Sequence, residues 1–333
     1  MRRPTMDDVA ARAGVSRSLV SLVMQDSPKV SAARRTAVRE AAAELGYAPH
    51  TLARELASGS SSVLAVLVSD LRNPYFADVV EGVEAACESA GLQAILITGG
   101  RRPSTEERAI DTLLGFRPAG LVLLSPVVAS AVLARACRGV PVAAVERAVR
   151  LAGVDTIVDD GRTGATLAVD HLVGLGHQAI VHLDGGRGAG SAVRRRGYAE
   201  AMARHGLTAR IEPSEYTEQA GAAAVGRLLA TRRRFTALVA ANDINAVGAI
   251  AALEDAGLRV PQDVSVIGYD NTRLAALRHI GLTTVDQPRL DMGRLAVECV
   301  TQRRDDPTTP ARRHRLDPTL VVRTTTGPPP AST

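Results

Sequence analysis

The chain has 333 residues, 46% of them apolar, which is length and hydrophobicity enough for about two domains with packed cores and excludes a disordered chain. It has no Trp, three Phe and five Tyr, and Lys29 is its single lysine, so an aromatic core is excluded and the basic side chains are almost all Arg. The formal charge is +5, which permits a polyanionic partner without demonstrating one. The opening MRRPTMDDVA lacks the apolar run of a signal peptide and no stretch is long and apolar enough to span a bilayer, so a cytoplasmic location and no membrane partner are expected.

The first 48 residues read as three helices. Thr5 with Asp8 forms a capping-box-like start, Val9, Ala10 and Ala13 make one apolar face, and Gly14 ends the segment. Ser16 caps a second helix after a turn of only Gly14 and Val15, with Leu19, Val20 and Val23 inward. Ser31 caps a third, striped by Val38, Ala41, Ala42 and Leu45 and stopped by Gly46. Two short helices on a tight Gly-containing turn, with a supporting third, make the helix-turn-helix pattern; an ordinary small helical bundle is the alternative. Charge agrees with DNA binding: residues 1–60 hold nine cationic against six acidic side chains, a surplus of three, leaving a surplus of only two to the other 273.

A polar tract of Ser and Gly at 58–62 separates this piece from a regular alternation. Strand-like apolar runs fall at 63–68, 93–98, 120–124, 140–145, 154–158, 179–183, 237–240 and 264–267. Between most of them lie helix-length segments such as 76–90, 164–175, 195–205 and 244–256. Such alternation predicts parallel sheets covered on both faces, and its length favours two doubly wound lobes facing a cleft, with ligand at the C-terminal ends of strands.

Chemistry-bearing motifs are few. Cys87, Cys137 and Cys299 are far apart in apolar segments and read as core residues. His171, His177 and His182 do not line up on one helix face and have no HExxH or CxxC companion, so no metal is expected. The run Gly185 to Gly190 tempts a dinucleotide reading, but the third glycine position falls on Ser191 or Val193; a flexible loop leading to Arg194 is the plainer account. No catalytic constellation stands out, so neither an enzyme nor a cofactor is expected.

The segment TMDDVAARAGVSRSLVSLVMQDSPKVSAARRTAVREAAAELGYAPHTLARELASG closely resembles the DNA-binding headpiece and hinge of the lactose-repressor (LacI/GalR) family of bacterial regulators. The similarity continues through SDLRNPYFADVVEGVEAA, DDGRTGATLAVDHLVGLGH, RRRGY, ANDINAVGAIAALEDAGLRVPQDVSVIGYDN, LTTVDQP and LDPTLVVRTTTGP. The resemblance implies an N-terminal all-α helix-turn-helix headpiece (1–48), a hinge helix and linker (49–62), a periplasmic-binding-protein-like α/β core of two doubly wound parallel-sheet lobes (63–326) and a flexible tail (327–333). It also implies a homodimer or dimer of dimers on pseudo-palindromic double-stranded operator DNA, nucleoid-associated in the cytoplasm, answering to a small effector.

On these grounds Arg17 and Ser18, at the N-terminal end of the second helix, are the expected base readers, with Ser16 and Ser21 near phosphates and Thr5 also in the DNA-binding set; for Arg17 a nonspecific phosphate contact is the alternative. Leu22 stands where the family commonly has Arg, which implies an altered half-site. In the hinge, the family makes Leu56 the wedge at the central base step and Ala53 the point of close approach, while His50 replaces the more usual Asn; without the family, Leu56 is one apolar residue in a linker.

The family places Asp70, Asn73, Tyr75 and Phe76 at the cleft, where flat rings can stack on a sugar or purine; the alternative is that Phe76 begins the helix core and only Tyr75 is exposed. Arg194, in an R-x-x-G element closed by Gly197, matches the effector anchor, while Arg195 and Arg196 read as surface charges. Asp160, Asn242, Asp243, Asp270 and Gln287 complete the polar set; Asp243 is alternatively a helix cap and Gln287 a structural residue. Gln219 and Ala220 stand where sugar-responsive relatives carry an aromatic wall. The expectation is a repressor controlled by a sugar or related polyol acting as inducer, against two alternatives, a DNA-binding protein with an effector-insensitive core and a small-molecule-binding enzyme.

Overall fold

The structure is a computed structural model that describes residues 4–24, 26–47, 61–231 and 233–331. They form two compact units that divide between Ser61 and Ser62. In the first, α1 (Met6–Ala13), α2 (Arg17–Met24) and α3 (Ala32–Leu45) enclose Val9, Val20, Val23, Val30, Val38 and Ala41. Thr5 and Asp8 form a reciprocal capping box at α1. Gly14 takes φ 65°, a left-handed conformation that lets Val15 donate back to Ala10 and turn the chain within two residues. The Ser16 hydroxyl accepts from Leu19 N at 3.2 Å. Ser31 stands at the N-cap of α3 but its hydroxyl makes no capping bond, a correction to the expected cap.

The second unit contains two six-stranded sheets. The first is built from β1 (Val63–Val68), β2 (Gln93–Thr98), β3 (Gly120–Leu124), β4 (Val142–Val145), β5 (Val154–Asp159) and β11 (Arg313–Leu316), in the order β11-β5-β4-β3-β1-β2. The second comprises β6 (Ile180–Leu183), β7 (Ile211–Glu212), β8 (Ala237–Val239), β9 (Ser265–Asp270), β10 (Thr283–Asp286) and β12 (Thr319–Val321), in the order β12-β10-β9-β8-β6-β7. Within each lobe the first five strands therefore run 2-1-3-4-5, and only the β10–β12 pair is antiparallel. Every residue of β1 is buried, as a strand covered on both faces requires.

The helices follow from local signals. They are α4 (Tyr75–Ser89), α5 (Pro103–Gly115), α6 (Ser130–Ala136), α7 (Gly161–Gly174), α8 (Ser191–Arg204), α9 (Glu218–Ala230), α10 (Asp243–Asp255) and α11 (Arg289–Asp305). Helix α7 starts three residues before its apolar pattern because Asp160 caps it, accepting from Thr163 N at 3.1 Å. Helix α11 belongs to the first lobe although it lies in the chain between β10 and β12 of the second. Gly82 and Gly293 leave no room for a Cβ against Leu290 O and Val79 O, so α4 and α11 can approach backbone to backbone.

β7, β10, β11 and β12 escaped the sequence reading because they are short and interrupted by polar residues, as in Thr283–Asp286 and Arg313–Leu316, whereas the equally short β4, β6 and β8 are mostly apolar. Gly327, expected to open a flexible tail, is instead bound: its carbonyl lies 2.9 Å from His177 Nε2 and its amide donates to Ser265 Oγ at 3.0 Å. Among the described residues no helix is long and apolar enough to cross a membrane.

Candidate functional site

On α2, a turn of 100° per residue sets Arg17, Ser18, Ser21 and Leu22 on one face and Val20 and Val23 on the other. Val20 and Val23 are buried, whereas Arg17, Ser18 and Leu22 are exposed. Arg17 Nε lies 3.7 Å from Asp7 Oδ1, and the hydroxyls of Ser16 and Ser18 are 2.9 Å apart. The Thr5 hydroxyl is engaged with Asp8. His50, Ala53 and Leu56 lie outside the described residues.

The second unit holds a small cavity of about 40 Å³, lined mostly by polar side chains. Both sheets aim the C-terminal ends of their strands at it: Ser69, Ser125 and Glu146 follow β1, β3 and β4, while Asp270 ends β9 and Gln287 follows β10. β1 and β3 are the neighbours at which strand order reverses, the crevice where open α/β sheets take ligands. Arg101, Ser125, Glu146 and Asp270 all line this space with positive φ, from 53° to 113°, and strained non-glycine backbone of this kind gathers at binding sites.

Arg194, on the first turn of α8, is the central cation, its side chain 5% exposed. It donates from Nη1 to Ala241 O at 3.1 Å and from Nη2 to Glu146 Oε2 at 3.4 Å. Asp270 Oδ1 and Asp159 Oδ2 stand at 3.8 and 3.9 Å. One guanidinium thus faces three carboxyl groups, more negative charge than it can balance. Burial, with Asp159 beside it, pushes Glu146 up to about 8 against the opposing pull of Arg194. Burial likewise pushes Asp270 up to about 8, Arg194 opposing and Asp243 reinforcing.

Several polar atoms on residues that line the cavity are buried without a partner. Asn242 caps α10 through Oδ1, which accepts from Asn245 N at 3.0 Å, and this leaves Nδ2 unbonded. Gln287 donates from Nε2 to Asp270 Oδ1 at 2.5 Å, leaving Oε1. Glu146 Oε1 and Arg194 Nε are also buried and unbonded. Two donors, from Arg194 and Asn242, and two oxygens, from Glu146 and Gln287, are thus left unbonded on residues that line one cavity.

Seven of the ten residues expected at the cleft line it: Asn73, Tyr75, Phe76, Arg194, Asn242, Asp270 and Gln287. Three turn elsewhere. Asp70 pairs with exposed Arg72 at 3.0 Å; burial opposes its charge, but the bonds from Arg72 hold the carboxyl below its usual range. Asp160 is spent on its cap and lies 3.6 Å from Arg315. Asp243 is buried behind the cavity, accepting from Thr272 N at 2.6 Å, Thr272 Oγ1 at 2.9 Å and Thr284 Oγ1 at 2.5 Å.

The aromatic expectation also changes. Tyr75 and Phe76 pack edge to face at 5.1 Å and are 3% and 5% exposed, so they are walls embedded in the first-lobe core rather than free stacking platforms. The less buried ring at the cavity is instead that of Tyr216, half-buried and two residues before the segment where an aromatic was sought. Its ring sits on Gly185 and Gly188, where a Cβ would overlap it, and its hydroxyl donates to Ala189 O at 2.8 Å. The glycine run is therefore shaped to a ring, beyond merely leading to Arg194. Sequence reasoning also missed Ser69, Arg101, Ser125, Val127, Glu146 and Ala189; a polar residue directly after an apolar strand was the available signal for Ser69, Ser125 and Glu146.

Residues 5–50 match the model of the bacterial regulatory proteins of the lacI family, and residues 169–326 match a periplasmic binding protein-like domain. The chain is 34% identical over 325 residues to the transcriptional regulator GalR of Escherichia coli, covering 96% of this chain and 94% of that one. It is equally 34% identical to the ribose operon repressor of Escherichia coli, covering 96% and 98%. Among solved structures, the lac repressor dimer bound to operator and an anti-inducer superposes with a TM-score of 0.84 at 29% identity, over 98% of this chain and 100% of that one. A regulator from Enterococcus faecium with bound ribose gives 0.73 at 25% identity, over 80% and 99%.

Proposed function

Because the chain belongs to the lacI family of bacterial regulatory proteins, as a DNA-binding transcriptional regulator, we propose that it represses genes by holding a pseudo-palindromic operator as a homodimer and releases it on binding a small sugar or polyol. The observation that carries the effector reading is the set of four buried, unbonded polar atoms around Arg194. Unbonded donors and acceptors on side chains 5% exposed or less, beside a ring, suit a compact ligand with several hydroxyls. A solved neighbour that carries ribose supports the same ligand class.

The exposed face of α2 supports Arg17 and Ser18 as base readers, with Leu22 apposed to an apolar base edge such as a thymine methyl. His50, Ala53 and Leu56 are assigned to the hinge in the minor groove, with Leu56 as the wedge. An effector that binds the core better in its released form lowers operator affinity by its differential affinity for the two forms.

Calorimetry with a panel of aldopentoses, aldohexoses and polyols, followed by operator titration with and without the ligand that binds, tests the reading. Saturable binding that weakens operator affinity supports it. Operator binding indifferent to every ligand that occupies the cleft would overturn it.

A further inference from the structure

Residues 125–129, between β3 and α6, carry Ser125 and Val127 to the cavity wall, yet belong to no strand or helix. Their backbone groups must be bonded by something else. Two side chains do it from behind. Glu106, on the first turn of α5 and fully buried, accepts at Oε2 from Val127 N at 2.6 Å and Val128 N at 3.2 Å. Arg147 donates from Nη1 to Pro126 O at 3.2 Å and Val128 O at 2.5 Å. The carboxyl takes the donors of the segment and the guanidinium its acceptors, so the two hold opposite polarities of the same few peptides.

The other oxygen of Glu106 reaches a second part of the wall. Ser69 Oγ lies 2.7 Å from Glu106 Oε1 and 2.8 Å from Ser125 O, with its hydroxyl proton directed at these two acceptors. A lone pair is left for the cavity, so Ser69 meets a ligand as an acceptor. Gly99 permits the arrangement, since a Cβ there would overlap the Glu106 side chain.

We infer that Glu106 is the positioning residue of the effector cleft: through Ser69 and the segment 125–128 it sets the first-lobe wall, without touching ligand itself. The inference rests on the cleft being the effector site, and its test has one arm that does not. In the full-length protein, Glu106→Ala speeds amide hydrogen exchange at Val127 and Val128 at least tenfold relative to the rest of the first lobe. Glu106→Gln keeps one oxygen for those two amides and restores their protection. Unchanged exchange in Glu106→Ala overturns the inference, and Glu106→Gln carries the remaining measurements should the alanine variant fail to fold.

The second arm uses D-ribose as probe. Ser69→Ala and Glu106→Gln each weaken its binding about tenfold, the scale of one lost hydrogen bond. The double variant is no weaker than Ser69→Ala alone, because both changes act through the same hydroxyl. Additive losses overturn the inference, since a merely structural defect adds to the loss of Ser69. If the unsubstituted protein ignores D-ribose, the sugar reading of the cleft suffers and the exchange measurement alone decides Glu106.

Discussion

The guanidinium of Arg194 lies 3.7 Å over the ring of Tyr269. The hydroxyl of that ring donates to Asp159, and Gly164 leaves the ring its space, because a Cβ there would overlap the phenol oxygen. The principal cation of the cleft is thus held by a fixed ring on one side and carboxyl groups on another, while Nε is buried without a partner.

Replacing this cation should separate sensing from DNA binding. Arg194→Ala is expected to abolish the effector response while operator affinity stays within about threefold of the unsubstituted protein. Operator titration with and without effector checks it, and a normal response in the variant would reject the anchoring role.

Tyr216 depends on two glycines. Gly188→Ala should displace the ring, costing roughly 1–3 kcal/mol of stability as overpacking does, and should weaken ligand binding. Gly174→Ala is the control: a Cβ there meets nothing within 4 Å, so neither melting temperature nor affinity should fall. Equal effects of the two substitutions in thermal unfolding would count against the cradle.

The carboxyl cluster predicts a pH dependence with a definite sign. Unfolded, Glu146 and Asp270 titrate near 4; folded, burial above all, with Asp159 adding to it at Glu146, Asp243 at Asp270 and Arg194 opposing at both, places them at about 8. Between these limits the folded protein binds more protons than the unfolded one, so this contribution to stability falls as pH rises from about 4 through 8. The melting temperature of Glu146→Gln should therefore depend less on pH than that of the unsubstituted protein over that window. Parallel slopes would show that Glu146 does not carry the effect.

On DNA, Arg17→Ala should lose roughly 1–3 kcal/mol of discrimination at one base pair of each half-site while nonspecific affinity changes little. The check is a titration of single-base operator variants at fixed salt, because phosphate contacts make all affinities salt-dependent. A uniform loss across all variants would instead assign Arg17 to a phosphate.

Much of the architecture could be read along the chain because its determinants are short-range. The Thr5 and Asp8 box, the left-handed Gly14 and Gly46, the buried faces of Val20 and Val38 and the wholly apolar β1 each depend on groups within a few residues of one another. Motifs in the family order carried the rest of the fold and nominated Arg194, Asn242, Asp270 and Gln287.

Tertiary structure decided which polar residues share the cleft. Asp243 opens α10 and Asp270 ends β9, yet Asp270 lines the cavity and Asp243 is bound to Thr272 and Thr284 behind it. The same holds for Tyr216, whose place depends on glycines almost thirty residues earlier, and for Glu106, which joins Ser69 to Val127. Sequence spacing governs hydrogen bonds within a turn or along a strand; the cleft is made from the ends of strands that only sheet order brings together.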